Sequence, residues 1–302
     1  MYDIIIVGAG PAGLTSAIYA TRADKKVLVL EATSYGGQII NTLDVDNYPA
    51  EAHISGFDLA TKMYNQAKDL GAEIKFEKVI DIKDNKEEKE VITTKDTYKT
   101  KTIILATGAD NRKLGLDNED ELIGKGISYC ATCDGAFYKG KDVAVNGGGN
   151  TALEEALYLS DIVNKVYLIH RRDEFRAENS LVNKLKSKEN IELILNSNVS
   201  KLNADEKLKS IDVKDKDGNI KNLEVDALFV AIGRIPENQN FAKIIDLNEA
   251  GYVIADEFCH TNIEGIFVAG DNRVKRLRQL VTATADGAVA ATEAIKYINN
   301  KK

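Results

Sequence analysis

The sequence predicts an α/β protein in which one strand–turn–helix–strand unit is used twice, the second copy lying between two parts of the first domain. Three observations carry this. Residues 3–31 and 142–170 align without a gap at a constant offset of 139. Each copy opens on a short apolar run, passes through a glycine cluster and continues with apolar residues spaced by three and four. Two further apolar runs ending in glycine, "IILATGAD" (103–110) and "GIFVAGDN" (265–272), stand on either side of the second copy.

Taken in order, the first copy predicts a buried strand at 4–7, a turn at Gly8 and Gly10, a helix entered through Pro11, Ala12 and Gly13, and a closing strand at 27–30. Residues 4–21 carry no charge and approach the length of a membrane span, but their three glycines and one proline fit a strand, a turn and a helix instead. The second copy predicts a strand at 143–145, Gly147 and Gly149 in the turn, Asn150 and Thr151 at the head of the helix, and a strand at 166–169. Asp3, Gly8, Gly10, Leu14, Ala17, Tyr19, Lys26 and Val27 meet identical residues in it. This is the βαβ unit of Rossmann-like dinucleotide-binding domains. Gly8 permits the tight turn, Gly10 lets backbone N–H groups approach a pyrophosphate, and Gly13 packs helix on sheet, a task Ala152 can take in the second copy.

The two copies end differently. Glu31, 18 positions after Gly13, can accept hydrogen bonds from ribose hydroxyls and repels a 2′-phosphate, which suits FAD or NAD. The equivalent position in copy two is His170, followed by Arg171, Arg172 and then Arg176. Guanidinium forks match phosphate, so this site is expected to take NADP.

Composition sets the outer limits. The 302 residues suit about two domains, with 44% hydrophobic residues and a net charge of −7. The charge disfavours nonspecific binding to nucleic acid or anionic membranes. Three cysteines are too few for a disulfide scaffold and point to a reducing compartment. No signal peptide is evident. The segment 81–100, rich in lysine and glutamate, reads as a solvated β-meander, and 282–300 as a helix ending in a polar tail.

Cys130 and Cys133 stand two residues apart, with Asp134 next. Three readings are open: half of a zinc site that Cys259 and His260 would complete, a packed pair, or a reversible disulfide. Beside two dinucleotide sites, the disulfide makes one electron path from nicotinamide to flavin to sulfur.

The runs at 103–110 and 265–272, with "YGGQI" (35–39), resemble elements that wrap an extended FAD in two-dinucleotide flavoproteins. That resemblance implies FAD contacts at Gly36, Gly37, Gln38, Ala106, Thr107, Gly108 and Gly270, with Asp271 on the ribityl chain. It also implies a discontinuous FAD domain, 1–112 and 242–302, with an NADP domain at 115–239 inserted, each a three-layer ββα fold. End to end, "GAGPAG", "DNYP", "CATCDG", "GGGNTALEEALYLS", "HRRDEFRAE", "VAGD" and "LRQLVTA" resemble the low-molecular-weight, NADPH-dependent thioredoxin reductases of bacteria and archaea. The resemblance implies reduction of thioredoxin, a cytoplasmic homodimer, and no bound metal. It implies that Cys133 lies nearer the flavin, that Cys130 attacks the thioredoxin disulfide and that Asp134 supplies the proton. Asn47, Arg278 and Gln279 should lie near the isoalloxazine. Asn146, "PEN" (236–238) and Asn272 depart from the family pattern. A ferredoxin-dependent flavin reductase should lack "GGGNTA" and "HRR". A small-molecule disulfide reductase or thiol oxidase keeps the same chemistry, and a non-enzymatic dinucleotide sensor would not need "CATC".

Overall fold

The structure, a computed structural model, describes every residue except Leu43, Glu87 and Lys302. Glu87 belongs to the segment expected as a charged meander and lies outside the described residues. The chain forms two compact units, Met1–Asp110 with Ile235–Lys302, and Asn111–Arg234.

The first unit begins with β1 (Tyr2–Val7), α1 (Pro11–Arg22) and β2 (Val27–Glu31). A 3₁₀ turn at Gly37–Asn41 leads to α2 (Gly56–Asp69) and β3 (Glu73–Phe76). The Ser55 hydroxyl caps α2 by accepting the Asp58 N–H at 3.0 Å. An antiparallel meander follows, β4 (Val79–Asn85), β5 (Glu88–Thr93) and β6 (Thr97–Leu105). Their sheet runs β3-β2-β1-β6-β5-β4, with β1, β2, β3 and β6 parallel. Ile4 and Ile6 pack on one face with Leu14 and Ala17, while Ile5 and Val7 pack on the other with Phe241 and Val253. Burial on both faces explains why β1 reads as an unbroken apolar run.

A short strand, β7 (Ala109–Asn111), leads into the second unit. Its elements are β8 (Ile127–Ser128), α3 (Ala131–Asp134), β9 (Asp142–Asn146), α4 (Asn150–Ser160), β10 (Lys165–Ile169), α5 (Asn179–Lys186) and β11 (Ile191–Ile194). An antiparallel meander, β12 (Ser197–Ala204), β13 (Leu208–Asp215) and β14 (Ile220–Glu224), precedes β15 (Ala227–Val230). The parallel sheet is ordered β11-β10-β9-β15-β8. Val143 and Val145 pack toward Leu153 and Leu159 of α4, whereas Ala144 packs toward Ile211 and Leu223 of the meander. Helix, sheet and meander thus form the three expected layers. The sequence repeat extends to strand register: Ile4 pairs with Val27, and their counterparts Val143 and Val166 pair likewise.

Before β8, a buried carboxylate organises the irregular stretch from Leu114 to Glu119. Glu119, 3% exposed, accepts from the Leu114 N–H and the Tyr129 hydroxyl on Oε1, at 2.8 and 2.6 Å. Its Oε2 accepts the Gly115 N–H at 2.8 Å.

The chain returns through β16 (Arg234–Pro236), paired with β7. In the first unit β17 (Ile266–Val268) adds in parallel to β6, and α6 (Leu280–Asn300) closes the fold. Here α1 and α6 meet at a glycine: a Cβ on Gly287 would lie 2.3 Å from the Ala12 carbonyl oxygen. None of the described helices is long and apolar enough to cross a membrane.

Candidate functional site

Both glycine loops join a buried strand to a helix N-terminus, where unsatisfied N–H groups attract phosphate. What each glycine makes room for differs. Gly8 has φ +107°, and a Cβ there would sit 2.3 Å from the Ala106 carbonyl oxygen. A Cβ on Gly13 would sit 1.9 Å from the Gly8 carbonyl oxygen. Protein fills both spaces. Gly10 is different: only Gly37 Cα comes near, at 3.9 Å. The second loop repeats this. A Cβ on Gly147 would meet the Ala231 oxygen at 2.3 Å, whereas nothing lies within 4 Å of one on Gly149. Gly10 and Gly149 therefore each face open space that a side chain would fill, a cradle of the kind a pyrophosphate needs.

The sequence-predicted residues of the first unit make the following contacts. Glu31 ends β2, its Oε2 accepting the Ala9 N–H and its Oε1 the Thr33 N–H, at 2.8 and 2.9 Å. With Gly8, Thr107, Pro236, Glu237 and Phe241 it lines a cleft of about 320 Å³. Gly36 donates its N–H to the Ala9 oxygen at 2.8 Å, so the "YGGQ" turn sits on the glycine loop. Gln38 donates to Asp110 Oδ1 at 2.6 Å. Asn47 donates to Gln279 Oε1 at 3.3 Å across 232 residues of sequence. Arg278 lies over the Tyr252 ring, 4.2 Å from its centroid, and its Nε donates to the Asp271 carbonyl at 3.4 Å. Gly270, at φ +93°, donates to Asp286 Oδ2 at 3.0 Å. Asp286 is gripped by Arg273 and Lys275, which offset its burial and hold its carboxyl below the ordinary aspartate range.

Two family departures prove to be one feature. Asn272 and Asn238 are both fully buried. Asn272 donates to Thr107 Oγ1 at 3.0 Å, and Asn238 donates to the Asn272 carbonyl at 2.7 Å. The pair ties the segments carrying Thr107 and Asp271 together.

In the second unit, Arg176 N–H donates to the Gly148 oxygen at 2.7 Å, and Asn150 exchanges hydrogen bonds with Glu178. The "HRRDEFR" segment is thereby laid along the loop. Arg171, Arg172 and Arg176 are exposed. His170 is turned inward instead: it is 7% exposed, its ring stacks on Phe175, and a Cβ on Gly148 would lie 2.1 Å from it. Burial, then the neighbouring arginines, lower its pKa, so the ring is a neutral floor for the loop and the arginines are left as the cationic set.

Cys130 and Cys133 are joined in a disulfide whose Cα atoms lie 5.3 Å apart. Cys130 caps α3, and Cys133 and Asp134 lie in its single turn. Cys130 N–H donates to Ser128 Oγ at 3.1 Å, and Ser128 Oγ donates to Asp134 Oδ2 at 2.6 Å. Ser128 thus fixes the carboxylate beside the disulfide. The sequence reading missed it, although a hydroxyl two residues before a turn is a recognisable signal. It also missed Glu155 of α4, whose carboxyl is pushed up to about 7 by burial, an effect the Ala131 backbone N–H partly offsets. Cys259 belongs to the first unit, where it is fully buried and its thiol donates to the Asp286 carbonyl.

The chain matches the family described as pyridine nucleotide-disulphide oxidoreductase over residues 2–287. It is 44% identical to a thioredoxin reductase of Listeria innocua, over 100% of this chain and 95% of that one. It is 41% identical to one of Bacillus subtilis, over 99% and 95%. The solved thioredoxin reductase of Streptococcus pyogenes superposes with a TM-score of 0.95 at 37% identity, covering 99% of both chains. The chain belongs to the pyridine nucleotide-disulphide oxidoreductases, and within them to the thioredoxin reductases.

Proposed function

We propose that the protein passes electrons from NADPH, by way of bound FAD, to the Cys130–Cys133 disulfide, and from the resulting dithiol to the disulfide of a thioredoxin. A flavin and a nicotinamide nucleotide are the cofactors of its family. The observation that carries the reading is a disulfide at the head of α3, in the unit that also holds the second glycine loop. Bound flavin would supply the two-electron link between a nicotinamide hydride and a disulfide.

The chain's own residues divide the work. Gly8, Gly10, Pro11, Ala12, Gly13, Glu31, Gly36, Gly37, Gln38, Asn47, Ala106, Thr107, Gly108, Gly270, Asp271, Arg278 and Gln279 would hold FAD. Gly147, Gly149, Asn150 and Thr151 would take the pyrophosphate of NADPH, and Arg171, Arg172 and Arg176 its 2′-phosphate, with His170 supporting the loop. Cys130 attacks the partner disulfide, and Asp134, held by Ser128, protonates a departing thiolate. The reading extends to a cytoplasmic homodimer. Exposed Val274, Leu277 and Val281 at the head of α6 support an apolar face that a second copy would cover.

The test is steady-state oxidation of NADPH and NADH in the presence of a thioredoxin. Each charge-assisted hydrogen bond is worth roughly 1.5–3 kcal/mol, so Arg171→Ala should raise the KM for NADPH about 10- to 100-fold. The KM for NADH should barely change. Equal losses with both would sink the 2′-phosphate assignment, and failure of thioredoxin to drive any NADPH oxidation would sink the activity.

A further inference from the structure

The internal repeat singles out one carboxyl. Glu155 occupies the position that Ser16 holds in the first copy, 139 residues earlier. Ser16 is fully buried and donates to the Gly287 carbonyl at 3.0 Å. The inward face of the helix therefore carries a small hydroxyl in one copy and a full carboxyl in the other. Placing a carboxyl there is costly unless it is paired or neutral. What it meets in the second unit is the redox turn. The backbone N–H of Ala131, the residue between Cys130 and Thr132, acts on the Glu155 carboxyl to favour its charged form, and Ala131 itself is fully buried. A Cβ on Gly135 would lie 3.0 Å from Leu159 of α4, so the turn is pressed onto this helix. Oε2 of Glu155 is sealed from solvent with no hydrogen-bond partner among the described residues.

We propose that Glu155 is a positioning residue for the redox pair, holding the head of α3 through the Ala131 N–H and taking up a proton when the Cys130–Cys133 bond is reduced. The proposal rests on that disulfide being the redox pair. Two electrons cleave the S–S bond, and two protons accompany them. One sulfur is protonated and the other remains a thiolate; the second proton goes to the Glu155 carboxylate, so charge is conserved. The cause is local. The oxidised pair is neutral, whereas a new thiolate in the same turn repels a carboxylate and favours its protonated form.

Other charged groups surround Glu155. Glu154 shares its helix and Arg234 opposes it. Asp134 of α3 is held by Ser128, Asp142 of β9 by Asn164, and Lys165 of β10 by Glu192. Lys184 and Lys186 of α5 are exposed.

In the oxidised protein burial sets the carboxyl at about 7. A thiolate nearby raises it by on the order of one unit. Reduction then takes up an extra proton above pH 7, so the dithiol gains extra stability as pH falls through that window. The experiment poises the flavin-loaded protein in dithiothreitol buffers between about pH 6 and pH 9 and counts thiols by alkylation and mass. The dithiol-to-disulfide ratio of the wild type should change about tenfold more across this range than that of Glu155→Gln. Parallel titrations would overturn the proposal. In the wild type alone, an infrared difference spectrum at pH 8 should gain a protonated-carboxyl band on reduction, and its absence would overturn it independently. A wild-type disulfide that dithiothreitol cannot reduce would reject the redox reading beneath it.

Discussion

Replacing Cys133 by serine should abolish thioredoxin reduction, lowering turnover by at least about a thousandfold, because a hydroxyl cannot form or exchange a disulfide. Cys130→Ser should do the same. No other thiol in the chain can substitute. Cys259 is fully buried in the other unit, and burial pushes its thiol up to about 12, which leaves almost no thiolate at neutral pH. The substitution is nearly isosteric and α3 is a single turn, so the fold should persist. In either serine variant NADPH should still bleach the flavin absorbance, since that transfer precedes the disulfide. Normal thioredoxin turnover by Cys133→Ser would refute the electron path. Loss of flavin bleaching as well would point to damage upstream of the sulfurs.

The second large effect concerns a single methyl group. Gly8→Ala should yield protein that is mostly free of flavin or insoluble, with the flavin-to-protein absorbance ratio falling at least about tenfold. A left-handed φ costs a non-glycine residue on the order of 1 kcal/mol or more, before any clash. Here the added carbon would also lie 2.3 Å from the Ala106 oxygen, and backbone cannot swing aside as a flexible side chain would. The total exceeds about 3 kcal/mol, a large share of a domain's stability. Gly10→Ala is the control. Its methyl meets no protein atom closer than 3.9 Å, so the melting temperature should stay near that of the wild type while flavin affinity falls. Gly149→Ala should likewise spare the fold and weaken NADPH. Equal thermal losses in Gly8→Ala and Gly10→Ala would mean that both glycines serve the fold, leaving no cradle.

The pattern of success follows from what local sequence can encode. The two βαβ units were legible because burial on both faces gives β1 and β9 near-continuous apolar runs, and because the glycines recur at fixed spacing. The split of the first unit was legible in the positions of "ATGA" and "VAGD" on either side of the second copy. Other features depend on partners remote in sequence. Asn238 and Asn272 each looked like an isolated departure, but their hydrogen bond spans 34 residues. His170 read as one more basic group beside a phosphate. Its ring turns inward because Gly148 leaves a gap that only an adjacent side chain can fill. Glu155 was hidden by composition: two adjacent glutamates on a helix suggest solvent, and only comparison with Ser16 reveals that one faces inward.

Glu119 has a consequence for hydrogen exchange. Leu114 and Gly115 lie in a stretch without strand or helix, where amide protons ordinarily exchange with solvent within seconds. Their N–H groups are instead donated to a carboxylate that is itself buried and also holds Tyr129, the neighbour of Cys130. Exchange at these two amides requires that grip to open. Deuterium uptake there should be as slow as in β8, and Glu119→Gln should speed it about tenfold or more, the loss of roughly 1.5 kcal/mol from a charge-assisted bond. The loop thereby becomes a slow clock, timing how often the support beneath the redox turn lets go.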